Sequence, residues 1–155
     1  MSCCRRFPLK RALRILVPID FSSYSWQTLH FALSLQDMLE PVLVLLHVLP
    51  VADYSELGLS IGMDQSPPER DVLQHLQREA VSHLPAVNAP KVLYRVGHGV
   101  PFTEICRFAE EEKVDLIVIG THGRTGLSHL LIGSTAERVV RHASCPVLSI
   151  KPKLL

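Results

Sequence analysis

The run Val42-Leu-Val-Leu-Leu-His-Val48 limits the fold of this chain more than any other segment. It is too short for an ordinary helix, and it lacks the in-out alternation of a strand with one wet face. A segment of this kind is stable as a strand when both of its faces are covered, as in a parallel sheet flanked by helices. Residues 13–19 and 114–119 carry the same pattern, and 91–96 and the short Pro146-Val-Leu-Ser-Ile150 complete a set of five strand candidates. Pro18 falls near the carboxyl end of the first, where a missing ladder donor is tolerable.

Helical spacing fills the intervals. Ser22 or Ser23 can cap a helix over 24–39, whose apolar positions Trp26, Leu29, Ala32, Leu33 and Leu35 oppose the more polar Gln27, His30 and Gln36. A second helix spans 69–84, with Val72, Leu73, Leu76, Ala80 and Leu84 on its apolar side. Pro101 suits the first turn of a third, ending near Glu112. The last follows Gly133 and runs over 135–142. Strands alternating with helices predict an open α/β sheet with helices on both faces. Residues 50–68, punctuated by Gly58, Gly62, Pro67 and Pro68, form a connection long enough to suggest a lid or an interface.

Composition narrows the function classes. The 155 residues are 47% apolar, which argues against disorder, and the length suits one domain over 13–151. Residues 1–12 read as a basic leader and 152–155 as a short tail. Arg5, Arg6, Lys10, Arg11 and Arg14 precede the first acid, Asp20. Residues 15–155 then hold 11 basic and 15 acidic side chains, a net of −4, so the remainder carries no nucleic-acid footprint. No apolar run approaches the length of a membrane span, and 1–14 lacks the apolar core of a signal peptide. Cys3, Cys4, Cys106 and Cys145 form no CxxC pair; reduced thiols in a cytoplasmic protein are expected.

One segment carries chemistry. The strand at 114–119 empties into Gly120-Thr-His-Gly123-Arg-Thr-Gly126, and Gly133-Ser134 opens the last helix, a spacing of Gly-x2-Gly-x9-Gly-Ser. Glycines permit close backbone approach, while the free N–H groups and positive dipole end of a helix favour anionic oxygens. Ser134 adds a hydroxyl and Arg124 a charge suited to phosphate. The spacing is neither GxxxxGK[ST] nor GxGxxG. Ser134-Thr-Ala-Glu137 also reads as a plain capping box, so phosphate binding and a structural turn stand equal on local physics.

Asp20 ends the first strand, at the same sheet edge as Gly120. If those strands are neighbours where the winding reverses, their carboxyl ends frame a crevice. There Asp20 accepts from ribose hydroxyls or holds a cation beside phosphates, a reading favoured over helix capping. Val48 ends the second strand at that edge and can pack on an adenine ring, though core packing explains it equally. His47 is expected to turn inward and hydrogen-bond internally. His98, His122 and His129 have no spacing that groups three of them as metal ligands.

In Ile15-Leu-Val-Pro-Ile-Asp-Phe-Ser22, Leu45-Leu-His-Val48, Val114-Asp-Leu-Ile-Val-Ile-Gly-Thr-His-Gly123, Gly133-Ser134 and Cys145-Pro-Val-Leu-Ser-Ile150, the chain resembles the universal stress protein family. The resemblance covers Arg14 to Lys151, and the glycine spacing is similar to that of the ATP-binding branch. It implies strand order 3-2-1-4-5 and a homodimer joined through Pro146-Val-Leu-Ser-Ile150. It further implies a cleft lined by positions matching Pro18, Ile19 and Asp20, with Val48 near adenine. Ile119, Gly120, Gly123, Gly133, Ser134 and Thr135 would surround ribose and phosphates. Asp20 would contact ribose or an associated Mg²⁺ or Mn²⁺. Ile19 departs from the smaller threonine or valine frequent there, and its bulk narrows the pocket if it points inward.

The expected function is therefore an ATP-binding, dimeric sensor or regulator of stress responses. Two alternatives stay open: a weak ATPase, for which no general base is identifiable, and a structural or signalling homodimer that binds no nucleotide. No residue is assigned a catalytic role.

Overall fold

The computed structural model describes residues 12–50, 69–121 and 133–151. Five parallel strands, β1 (Arg14–Pro18), β2 (Val42–Leu49), β3 (Lys91–His98), β4 (Leu116–Gly120) and β5 (Val147–Ile150), form one sheet in the order β3-β2-β1-β4-β5. The expected sheet and its order are both present. Helices α1 (Ser23–Ser34) and α3 (Glu69–Val81) cover one face, and α4 (Pro101–Glu111) and α5 (Ser134–His142) cover the other. No helix among the described residues is long and apolar enough to cross a membrane.

The alternation along each strand divides the core in two. Ile15, Val17, Leu43 and Leu45 point toward Trp26 and Leu29 of α1 and Leu76 of α3. Leu16, Val44, Leu46 and Ile117 point toward Ile105 and Ala109 of α4 and Val139 of α5. Most of these side chains are completely shielded from water. Fully burying a large aliphatic side chain contributes roughly 1.5–3 kcal/mol, so the two-sided burial of the central strands dominates the stability. The apolar runs in the sequence are the signature of this arrangement.

The helix expected over 24–39 is not continuous. It starts at Ser23, after Ser22 as N-cap, and breaks at Leu35 before the short α2 (Gln36–Leu39). Ser34 explains the break: its hydroxyl donates to the Phe31 carbonyl at 2.6 Å, the acceptor that a continuing helix gives to the Leu35 N–H. That N–H turns to the Ala32 carbonyl at 3.2 Å instead. Glu40, in the left-handed region at φ 43°, then ends α2. At the other expected boundaries the changes are small. α3 stops at Val81 rather than residue 84, and β3 continues through Gly97 to His98.

Candidate functional site

The winding reverses between β1 and β4, and there the sheet opens. In a parallel ladder, alternate residues of a central strand bond to alternate neighbours. Ile19 donates its N–H to the Leu46 carbonyl of β2 at 2.8 Å, whereas the Arg14 carbonyl faces the other way and accepts from Asp115 N–H at 2.9 Å. Pro18 shares the parity of Arg14, so the donor it lacks is one that would face β4. Pairing of β1 with β4 is correspondingly short, Ile15 with Leu116 and Leu16 with Ile117. Beyond it the two strands part, as expected at a switch point.

A cavity of about 350 Å³ occupies this opening, within the range of small-molecule sites. Pro18, Leu46, Val48 and Ile119 supply an apolar floor at the strand ends. Pro101 and Ile105 close one side from the start of α4. Asp20, Ser25, Thr121, Ser134 and Thr135 bring polar groups to the wall, beside Gly120, Gly133 and Ala136. Of the residues singled out from sequence, Pro18, Ile19, Asp20, Val48, Ile119, Gly120, Gly133, Ser134 and Thr135 all border this one space. Gly123 and Arg124 lie outside the described residues, as do Gly126, His122, His129 and the 51–68 connection.

Ser25, Leu46, Pro101, Ile105, Thr121 and Ala136 were not anticipated. Thr121 directly follows Gly120, a signal that was present in the sequence. Pro101 and Ile105 reach the site because α4 packs against β2 and β3, which local pattern does not encode.

Two details of the walls decide what they can do. Asp20 Oδ1 accepts from Ser22 N–H at 3.0 Å and from Ser22 Oγ at 2.5 Å. That turn holds Phe21 at φ 64°, a left-handed conformation costly to a side-chain-bearing residue. Phe21 is fixed there by the rings of His47 and His75, 4.5 and 4.6 Å away between centroids. His47 itself is 6% exposed and its Nδ1 lies 2.7 Å from the Ile19 carbonyl, the internal role expected of it. The carboxylate of Asp20 is thus oriented, and capping α1 falls to Ser22, which accepts from Ser25 N–H at 3.2 Å.

At α5 the capping box does not form, because Gly133 and not Ser134 is the N-cap. Gly133 has no side chain to satisfy the first N–H groups, so that helix end faces the cavity without a side-chain cap. Gly133 has an ordinary φ of −58°. Its demand is for space: its N–H donates to the Thr121 carbonyl at 2.7 Å, and an added Cβ would stand 3.1 Å from that same oxygen. Ile19, 2% exposed, places its side chain in the core under α1 rather than across the cavity.

Sheet, switch point and crevice define an open parallel α/β protein with a cavity at its carboxyl edge. Residues 12–151 match the model of the universal stress protein family. The chain belongs to that family. It is 32% identical over 144 residues to universal stress protein MJ0531 of Methanocaldococcus jannaschii, covering 89% of this chain and 81% of the relative. Identity to MJ0577 of the same organism is 31% over 157 residues, covering 90% and 95%. The solved structure of UspA from Lactobacillus plantarum superposes with a TM-score of 0.68 at 25% identity, over 91% of this chain and 99% of that one. The same fold is found in a universal stress protein in complex with cAMP (TM-score 0.61, 19% identity, 90% and 97% covered) and in one from Archaeoglobus fulgidus in complex with dAMP (0.63, 23%, 90% and 98%).

Proposed function

We propose that this chain is an adenine-nucleotide-binding regulator, with ATP as the expected ligand, and that it acts as a homodimer in stress responses. The observation that carries this reading is the convergence of an uncapped helix N-terminus at Gly133, an oriented carboxylate at Asp20 and an apolar floor containing Val48 around one cavity. Phosphate oxygens suit the α5 N–H groups and the Ser134 hydroxyl. Ribose hydroxyls are donors that a carboxylate accepts, and Val48 and Leu46 offer surface to a base. Solved relatives holding cAMP and dAMP support the same ligand class. Gly123 and Arg124 would join the phosphate side.

A divalent ion, Mg²⁺ or Mn²⁺, fits in a limited way. Asp20 is the only carboxylate bordering the cavity among the described residues, so phosphates would supply most of the ion's oxygen ligands. The ion would neutralise phosphate charge. Because the Asp20 carboxylate is tied to Ser22, we assign these groups to binding rather than to water activation. Isothermal titration with ATP, ADP and AMP tests the reading. Saturable binding of at least one is expected, and absence of binding by all three overturns it.

The homodimer rests on β5, which lies at the sheet edge and, among the described residues, pairs only with β4. Leu148 on β5 is 36% exposed, and Val140 on the neighbouring α5 is 53% exposed. A second copy of the same edge would cover both.

A further inference from the structure

On the opposite side of the molecule, α1 and the residue just beyond α3 bring two imidazoles together. His83 Nδ1 and His30 Nε2 are 3.3 Å apart, although 53 residues separate them in sequence. That distance is long for a hydrogen bond involving N–H, whose ordinary range ends near about 3.2 Å. It matches another geometry closely. A tetrahedral ion with metal–nitrogen bonds of about 2.0–2.1 Å sets two ligand nitrogens roughly 3.3–3.4 Å apart. A square-planar ion with similar bonds would require about 2.8–3.0 Å.

We propose that His30 Nε2 and His83 Nδ1 form a surface site for zinc or a similar borderline divalent ion, unrelated to the nucleotide crevice. Imidazole nitrogen suits Zn²⁺, Ni²⁺ and Cu²⁺ and not Mg²⁺ or Ca²⁺, which require oxygen ligands. The site is held in shape by Trp26, whose ring stacks on His83 with centroids 4.3 Å apart and planes 11° from parallel. Trp26 is 8% exposed and anchored in the core, so it fixes the plane of His83.

The pair opens into a groove of about 570 Å³ whose polar lining includes Ser34, Gln36, Ser82 and Asn88. Gln36 Nε2 donates to the Asn88 carbonyl there. No third His, Cys, Asp or Glu completes a metal cluster among the described residues, so two waters from the groove would fill the shell. Binding takes a lone pair from each ring. A proton on either facing nitrogen moves to the other nitrogen of its own imidazole by exchange with water, and both rings remain neutral.

The full chain carries four cysteines, two of them adjacent at Cys3 and Cys4, so the test must separate thiols from imidazoles. Zinc alone is titrated calorimetrically into wild type, His30→Gln, His83→Gln and a Cys3→Ser, Cys4→Ser variant. One zinc per chain is expected in wild type and in the cysteine variant, with affinity reduced by about tenfold or more in each histidine variant. Trp26 is the sole tryptophan, so Co²⁺, which accepts the tetrahedral geometry of zinc, should quench its fluorescence in wild type and fail to do so in His30→Gln. Circular dichroism verifies that the variants fold. Zinc affinity unchanged in both histidine variants, or quenching by Co²⁺ that survives His30→Gln, overturns the site. So does the absence of zinc binding by wild type.

Discussion

Ser22 Oγ donates to Asp20 Oδ1 at 2.5 Å and itself accepts the Ser25 N–H at 3.2 Å. One side chain therefore orients the carboxylate of the crevice and caps α1. Ser22→Ala removes both functions together. Loss of an N-cap costs about 0.5–2 kcal/mol, so the urea midpoint should fall with the slope of the transition unchanged. Nucleotide affinity should fall as well, because Asp20 loses one of the two donors from Ser22 that orient it and keeps only the backbone N–H. Ser22→Thr, which keeps the hydroxyl, should restore most of both. A normal affinity in Ser22→Ala would show that the Ser22 hydroxyl is not needed to orient Asp20 for binding.

Gly133 is required for its lack of volume. Its φ of −58° suits any residue, but a Cβ would stand 3.1 Å from the Thr121 carbonyl, which already receives the Gly133 N–H. Gly133→Ala must shift the start of α5 by a few tenths of an ångström, and Gly133→Val must shift it further. The expected result is a graded loss of nucleotide affinity from glycine through alanine to valine, with thermal stability changing less steeply. Titration calorimetry beside thermal melts distinguishes this from general damage. Equal affinity in all three would remove the α5 terminus from the phosphate site.

Much of this was legible in the sequence because it follows from local rules. Apolar runs without alternation became central strands, and the glycine spacing marked where β4 leaves the sheet. Ser34 was also local, yet its consequence was missed: a hydroxyl competing for the Phe31 carbonyl outweighed the helical spacing that continued to residue 39. The capping-box pattern at Ser134 does not form, since α5 begins one residue earlier than that pattern requires and Gly133 is its N-cap.

Contacts between remote segments had no sequence signal. Glu112 accepts from Arg14 Nη1 at 2.9 Å and from Arg95 Nε at 2.6 Å, joining the end of α4 to two strands. The His30–His83 pair likewise exists only because α1 and α3 share one face of the sheet. Pattern specified which faces are buried, and packing decided which polar groups meet at their margins.

The half-buried thiols of Cys106 and Cys145 predict a response to alkaline pH. Burial pushes the Cys106 thiol up, with the Glu110 charge adding to it, and burial does the same to Cys145, aided by Cys106 and Asp115. The Tyr94 phenol is raised by burial too. A group whose native pKa exceeds its unfolded value contributes full stability below the unfolded value, about 8.5 for a thiol. That contribution is lost as pH rises through the raised native value. Stability should therefore decline progressively above about pH 8.5, and less steeply in a Cys106→Ala, Cys145→Ala variant. Alkylation of both thiols in the folded chain should be slower than that of a free cysteine, as read by peptide mass spectrometry.

The exposed edge at β5 makes the last prediction. Edge strands present unpaired backbone groups, and proteins protect them with charge, covering segments or a partner strand. Leu148 in mid-strand is apolar and partly exposed, and Val140 on the adjacent helix is more so. Leu148→Lys places a charge where a second copy would bury the strand, while leaving the β4–β5 ladder to backbone groups. If the edge is the dimer contact, light scattering should show a dimer for wild type and a monomer for the variant. The monomer should retain nucleotide binding, because the crevice is lined without β5. A variant that remains dimeric would move the interface elsewhere, and a wild-type monomer would leave β5 as an uncovered edge whose apolar residues only complete the fold.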